Sequence, residues 1–300
     1  MRWITYGPAD RAGLVVDDLV HGLDEPLLDL LGDLGAAAGR ARSAPAETLP
    51  LAAADLRAPI PQPPSVRDFL SFEEHARNAS AAFGRSVNPV WYEQPVFYFS
   101  NPAAIRGPHD DVPVSPGSAR FDYEVEVAAV VGRPGSDLTP SEAEDRIAGY
   151  TILVDWSARD VQRQESGAGL GPAKGKDGAT SLGPFLVTPD ELADRRAGNG
   201  YALRMSASVN GTAHGGGSWS DLHWSFGQML AYASRGTRLR PGDVVGSGTV
   251  GTGCLLELSS LHGEDAYPWL RPGDEVTVEV ERLGAVRARI TPAPAVVPLT

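Results

Sequence analysis

The stretch Phe121-Asp122-Tyr123-Glu124-Val125-Glu126-Val127-Ala128-Ala129-Val130-Val131-Gly132 constrains this chain more than any other. Side chains alternate along a strand, so Asp122, Glu124 and Glu126 share one face. An isolated Glu-Val-Glu-Val is most often a solvated strand face. Here the strand runs on through Val127 to Val131 with no polar alternation, a pattern typical of strands covered on both faces. Carboxylates that enter a buried strand need a cation or donors to offset desolvation. A hard divalent metal is the natural partner.

A second carboxylate follows a second apolar run, Tyr150-Thr151-Ile152-Leu153-Val154-Asp155. A lone Asp at a strand end is commonly a turn or cap residue. Arg159, Asp160 and Gln162 crowd the next turns, where Ser157 to Gln164 reads as a short helix. Lys174 and Lys176 lie in a glycine-bearing loop. It is no P-loop, because Asp177 stands where Ser or Thr is required.

Organisation along the chain follows the 34 glycines and 25 prolines. They punctuate short apolar runs, which favours strands and turns over long helices. Trp3–Tyr6 and Gly13–Val16 read as strands, the leucines between Pro26 and Leu34 have helical spacing, and Ala36–Ala46 reads as a loop. The run Pro59-Ile60-Pro61-Gln62-Pro63-Pro64 is an extended connector. It separates a small N-terminal domain, 1–58, from a larger one, 59–300. Ser65 is placed to cap a helix reaching Ala82, on which Asp68, Phe72 and His75 share a face. Beyond it come strands at Val96–Phe99, Tyr123–Val131, Tyr150–Val154, Leu203–Val209, Val244–Val245, Leu255–Leu258 and Glu275–Val280, with a helix over Asp221–Ser234. The chain is therefore α+β and β-rich, without βαβ alternation.

Composition removes several functions. Against 26 Lys and Arg stand 38 Asp and Glu, a formal charge of −12. With no basic block, neither nucleic acid nor an anionic membrane is an expected partner. One cysteine, Cys254, excludes an intrachain disulfide framework and a cysteine-rich zinc site. Met1–Asp10 lacks the pattern of an export signal, and no window approaches a membrane span, so a cytoplasmic protein is expected. Gly246-Ser247-Gly248-Thr249-Val250-Gly251 matches G-x-G-x-x-G, but Cys254–Leu258 after it reads as a strand, which argues against a dinucleotide site and for a tight glycine turn. His109, His214, His223 and His262 have no metal-ligand spacing among them.

Several segments in sequence order resemble the fumarylacetoacetate hydrolase family. They are Tyr123-Glu124-Val125-Glu126, Val154-Asp155-Trp156-Ser157-Ala158-Arg159-Asp160-Val161-Gln162, Gly175-Lys176, Leu182-Gly183-Pro184-Phe185-Leu186-Val187-Thr188, and the run Leu239 to Thr249. The resemblance extends from residue 59 to the end. It implies a mixed β-roll and a Mg²⁺ site, with Mn²⁺ or Ca²⁺ as substitutes. The implied metal ligands are Asp68, Glu124, Glu126 and Asp155. The segment Asp68 to Asn78 resembles the stretch that joins a metal ligand to a catalytic histidine, which makes His75 the implied general base and Glu257 the carboxylate that orients it. Arg159, Gln162 and Lys176 match the oxyanion-binding group, and Tyr92, Ser166 and Thr249 make up the substrate-binding set. Many short family members carry a glutamate three residues after the histidine, where this chain has Asn78. Ser166 stands where a substrate-binding tyrosine is expected, which points to a different substrate.

The expected activity is metal-dependent hydrolysis of a carbon–carbon bond in a β-diketone or acylpyruvate-type acid. A 2-keto acid decarboxylase, enol–keto tautomerase or dehydratase is the nearest rival. A non-enzymatic binding or assembly protein that retains the fold is the rival of another class. A homodimer is implied by the resemblance alone.

Overall fold

Short apolar runs broken by glycine and proline do form strands, and two sheets gather most of them. The computed structural model describes residues 1–169 and 171–298. The large sheet takes its strands in the order Glu47–Pro50, Leu19–Pro26, Arg11–Val16, Arg2–Tyr6, Thr180–Val187, Ile147–Asp155, Val125–Val131, Val244–Gly246, Val66–Phe69 and Phe97–Ser100. Every neighbouring pair on this path is antiparallel except Val244–Gly246 with Val66–Phe69. The leading strands thus belong to the sheet that carries the carboxylates, through Trp3 opposite Leu186. A second sheet runs Thr212–Ser218, Arg204–Val209, Glu275–Val280, Gly284–Thr291 and Val112–Pro113.

Alternation along Val125–Val131 divides the core. Val125, Val127, Ala129 and Val131 pack toward the second sheet with Ile152, Val154 and Met205. Ala128 and Val130 face the other way with Leu153, Leu182 and Leu186, against Trp3, Leu14 and the leucines of residues 27–34. Every residue of the strand is buried, as its unbroken apolar run predicts. Glu126 stands on the same side as Ala128 and Val130, directly opposite Leu153 of that layer.

Three expectations are corrected. Residues Leu34–Ser43 form an α-helix where a loop is expected. Alanine is the strongest helix former, Asp33 caps the first turn by accepting from the Ala36 N–H at 2.9 Å, and Leu34, Ala37, Ala38 and Ala41 bury one stripe. Ser65 caps no helix; its hydroxyl donates to Asp243 at 2.7 Å, and Val66–Phe69 is a strand, with the helix beginning at Glu73. Pairing on both sides, to Val244–Gly246 and to Phe97–Ser100, outweighs helix propensity there. Leu255–His262 is an α-helix rather than a strand. A short apolar run is ambiguous by period, and the cap that decides it lies far away in sequence. Among the described residues, no helix is long and apolar enough to cross a membrane.

Candidate metal and catalytic centre

Strand pairing assembles four carboxylates from three separate strands and the segment beside one of them. Glu126 lies opposite Leu153, two residues before Asp155. Asp68 lies opposite Gly246 on one side and Tyr98 on the other. Asp68, Glu124, Glu126 and Asp155 are all buried and each offers an oxygen within 4.8 Å of the others. Lys176 answers part of this charge. Its ammonium donates to Glu124 Oε2 and to Asp155 Oδ2, each at 2.5 Å. Tyr98, which sequence reasoning missed, donates its hydroxyl to Asp155 at 2.7 Å or Asp68 at 3.0 Å.

Charges of one sign this close perturb one another. Burial raises the pKa of Asp68, and burial with repulsion from Asp68 and Glu124 pushes Glu126 well up. Burial also drives Asp155 well above the carboxylate range against the pull of Lys176. Burial opposes the charge on Glu124 too, but Lys176 and Arg159 outweigh it and hold that carboxyl well below its usual value. Asp68 Oδ1, Glu126 Oε1 and Asp155 Oδ1 are buried without a hydrogen-bond partner among the described residues. Orphaned oxygens on converging carboxylates, all hard donors, fit a divalent cation such as Mg²⁺, Mn²⁺ or Ca²⁺.

Gly246 keeps the space between them open. A Cβ there would lie 2.6 Å from Asp68 Oδ1 and 3.1 Å from Glu126 Oε2. Gly248, at φ +77°, brings its N–H to Glu126 Oε2 at 3.0 Å, and a Cβ there would strike the Phe69 carbonyl at 2.2 Å. The G-x-G-x-x-G run therefore shapes the acidic site. A helix does follow it, but the carboxylate of Asp122 occupies that helix's N-terminus, receiving the Leu255 N–H at 2.7 Å and the Leu256 N–H at 3.0 Å. Gly246→Ala is expected to weaken Mn²⁺ binding at least tenfold with the fold retained, as measured by calorimetry and a melting curve. Wild-type affinity in the alanine variant would place the cation elsewhere.

His75 lies on the helix Glu73–Ala82 and borders a cavity of about 280 Å³ that Asp68, Glu124 and Glu126 also line. His75 Nδ1 meets Glu257 Oε2 at 2.7 Å, and both side chains are buried. Glu257 Oε1 accepts from Asn78 Nδ2 at 2.9 Å and from the Thr252 N–H at 3.0 Å. Burial opposes the Glu257 charge, but His75, Asn78 and Thr252 together lower its pKa, so it stays ionised. Asn78 thus holds Glu257 in place, where the resemblance marked it only as a departure.

Arg159 begins the helix Arg159–Gly167. It donates from Nε to Asp122 at 2.7 Å and from Nη1 to Gln162 Oε1 at 3.1 Å, and pairs with Glu124 at 2.8 Å. Gln162, Lys176 and Thr249 line the cavity. Tyr92 and Ser166 do not. Tyr92 is 43% exposed and donates to Glu73, and Ser166, at the exposed end of its helix, donates to the Gln162 carbonyl. The remaining wall is apolar, including Leu70, Val96, Phe97 and Pro172.

Residues 65–291 match the family model described as fumarylacetoacetate (FAA) hydrolase, C-terminal. The human mitochondrial oxaloacetate tautomerase FAHD2A is 30% identical over 251 residues, which cover 83% of this chain and 73% of that one. Among solved structures, a fumarylacetoacetate hydrolase from Exiguobacterium antarcticum is 25% identical with a TM-score of 0.72, over 98% of this chain and 100% of the other. A 5-carboxymethyl-2-hydroxymuconate delta-isomerase from Mycobacterium smegmatis is likewise 25% identical with a TM-score of 0.72, over 97% and 100%.

Proposed function

The chain belongs to the fumarylacetoacetate hydrolase family, and from that premise we infer that it is a metal-dependent hydrolase that cleaves a carbon–carbon bond in a β-diketo acid of the acylpyruvate type. The observation that carries this reading is the buried His75–Glu257 pair on the wall of the carboxylate-lined cavity. A tautomerase needs a proton relay, whereas a hydrolase needs a base that can activate water, and a carboxylate-held imidazole suits that task.

Asp68, Glu124, Glu126 and Asp155 would hold the cation, which when bound supplies Lewis-acid polarisation of the substrate's oxygens. With Nδ1 held by Glu257, His75 has Nε2 available to accept a proton from water. The hydroxide adds to the distal carbonyl carbon. The bond between that carbon and the neighbouring methylene then breaks, its electron pair leaving as the enolate of pyruvate. The proton taken by His75 then goes to the former methylene carbon of that enolate, giving pyruvate and the carboxylic acid. Glu257 fixes the imidazole tautomer and stabilises the cation that forms between these transfers. Gln162 receives Arg159 on its oxygen, and among the described residues its NH₂ has no acceptor, so it can donate to substrate. Lys176 uses two of its three N–H groups on carboxylates and keeps one for an oxyanion. The apolar wall of Leu70, Val96, Phe97 and Pro172 suits a short, uncharged acyl tail.

The test is product analysis with Mg²⁺ and acetylpyruvate. Pyruvate and acetate in equal amounts are expected. A second reading, tautomerisation of oxaloacetate, draws support from the 30% identity to the human tautomerase. Intact acetylpyruvate alongside accelerated enol–keto exchange of oxaloacetate would establish that reading instead, and carbon dioxide release would indicate a decarboxylase.

A further inference from the structure

We propose that Asp122 is a positioning residue that locks the oxyanion arm to the helix carrying Glu257, the carboxylate that holds the base. The inference deepens the hydrolase reading and rests on it for its kinetic consequences. Asp122 is fully buried, does not border the cavity and is not one of the four clustered carboxylates. Its two oxygens nevertheless receive four N–H groups. Oδ1 accepts from Tyr123 at 2.8 Å and Leu255 at 2.7 Å. Oδ2 accepts from Leu256 at 3.0 Å and from Arg159 Nε at 2.7 Å.

These donors come from two places that chemistry must keep in register. Leu255 and Leu256 open the helix Leu255–His262, and Glu257, the partner of His75, is the next residue. The first amides of a helix have no partner within it and carry its positive end, so a buried carboxylate on them fixes both the axis and the rotation of the first turn. Arg159 Nε fixes the guanidinium plane. Its other nitrogens then reach Gln162 and Glu124, at the edge of the cavity. One carboxylate therefore sets the position of the base through Glu257 and of the oxyanion donors through Arg159 and Gln162. Because each oxygen serves two donors, no orientation of an asparagine can replace it. Whichever way the amide is turned, its NH₂ faces two N–H groups and leaves both unpaired.

Asp122→Asn is expected to lower kcat about 10²-fold, the scale set by a displacement of about 1 Å in a catalytic constellation. KM and Mn²⁺ affinity should change little, since no oxygen of Asp122 joins the metal cluster. In a Glu257→Gln background the same change should cost much less, because part of its effect passes through Glu257. Hydrogen exchange gives a readout free of turnover: the amides of Leu255 and Leu256 should exchange faster in the variant while the central strand Val125–Val131 stays protected. Unchanged exchange at those amides overturns the proposal whatever the reaction is. So does undiminished kcat in a variant whose parent cleaves acetylpyruvate, a fully multiplicative loss in the double variant, or a kcat loss that merely tracks a lower melting temperature. A parent that cleaves no acylpyruvate counts against the hydrolase reading, and exchange then decides the locking role alone. If the asparagine variant does not fold, Asp122→Ser, which keeps one small acceptor and loses the bridge, is read in the same way.

Discussion

His75→Ala should lower kcat for acetylpyruvate by about 10²–10⁴-fold, the usual worth of a positioned general base. Mn²⁺ binding should persist, because the imidazole offers no atom to the four-carboxylate cluster. Glu257→Gln should also cost orders of magnitude. A glutamine presents either a second donor to Nδ1 or an oxygen that holds the tautomer without stabilising the imidazolium. Glu257 is kept ionised by His75, Asn78 and the Thr252 N–H despite its burial. That stabilisation is present above the ordinary glutamate pKa and fades only as pH falls through the lowered one, so the pair does not dissolve in the neutral range where turnover is assayed. His75 and Glu257 act as one unit, so the double variant should be little worse than the worse single variant. If His75 only packs its helix, both single variants will keep near-normal kcat, or lose it in step with a lower melting temperature.

The part of this site legible in sequence is the part written along single strands. Period-2 alternation puts Glu124 and Glu126 on one face, and the apolar run that buries them is visible beside them. Asp155 closes its strand as expected. Asp68 and Glu257 reach the site from elements of a type other than expected, a strand in place of a helix and a helix in place of a strand. Motif resemblance located them where local periodicity did not, because strand pairing decides the first and a distant cap the second. Tyr98 shows the limit most clearly. Phe97-Tyr98-Phe99 is an ordinary aromatic strand until its register sets Tyr98 opposite Asp68, which no pattern within either strand encodes. The same holds for Asn78, which meets Glu257 only after the helices Glu73–Ala82 and Leu255–His262 pack. Tyr92 and Ser166 are the converse. Position in a motif suggested cavity residues, but the local turns direct them to Glu73 and to the Gln162 carbonyl.

Removing divalent cations should abolish turnover and make stability depend on pH in an unusual direction. Ionised together, the four clustered carboxylates outnumber Lys176 and Arg159, the cations paired with them, and leave a net negative charge in a buried site. In cation-free protein, burial first and mutual repulsion second raise the pKa of Glu126, and burial outweighs the pull of Lys176 on Asp68 and Asp155. A carboxyl whose pKa is higher folded than unfolded binds its proton more tightly in the native state. Its penalty is absent below the ordinary carboxylate pKa, about 4, and grows as pH rises through the window up to the raised value. Glu124, held low by Lys176 and Arg159 against its burial, works the other way, but it is one group against three. EDTA-treated protein should therefore melt at progressively lower temperature as pH is raised above the ordinary carboxylate pKa. Mg²⁺ or Mn²⁺ should restore the melting temperature most at the upper end, because cation and protons compete for the same oxygens. Glu126→Ala should abolish that cation-dependent gain. Asp122→Ala, if it folds, should keep it, because the Asp122 oxygens are taken up by N–H groups rather than aimed into the cluster. Equal loss of the gain in both variants would mean that the cation sits on the wrong set of oxygens in this account. A melting temperature indifferent to EDTA at pH 8, with turnover intact, would remove the metal from it.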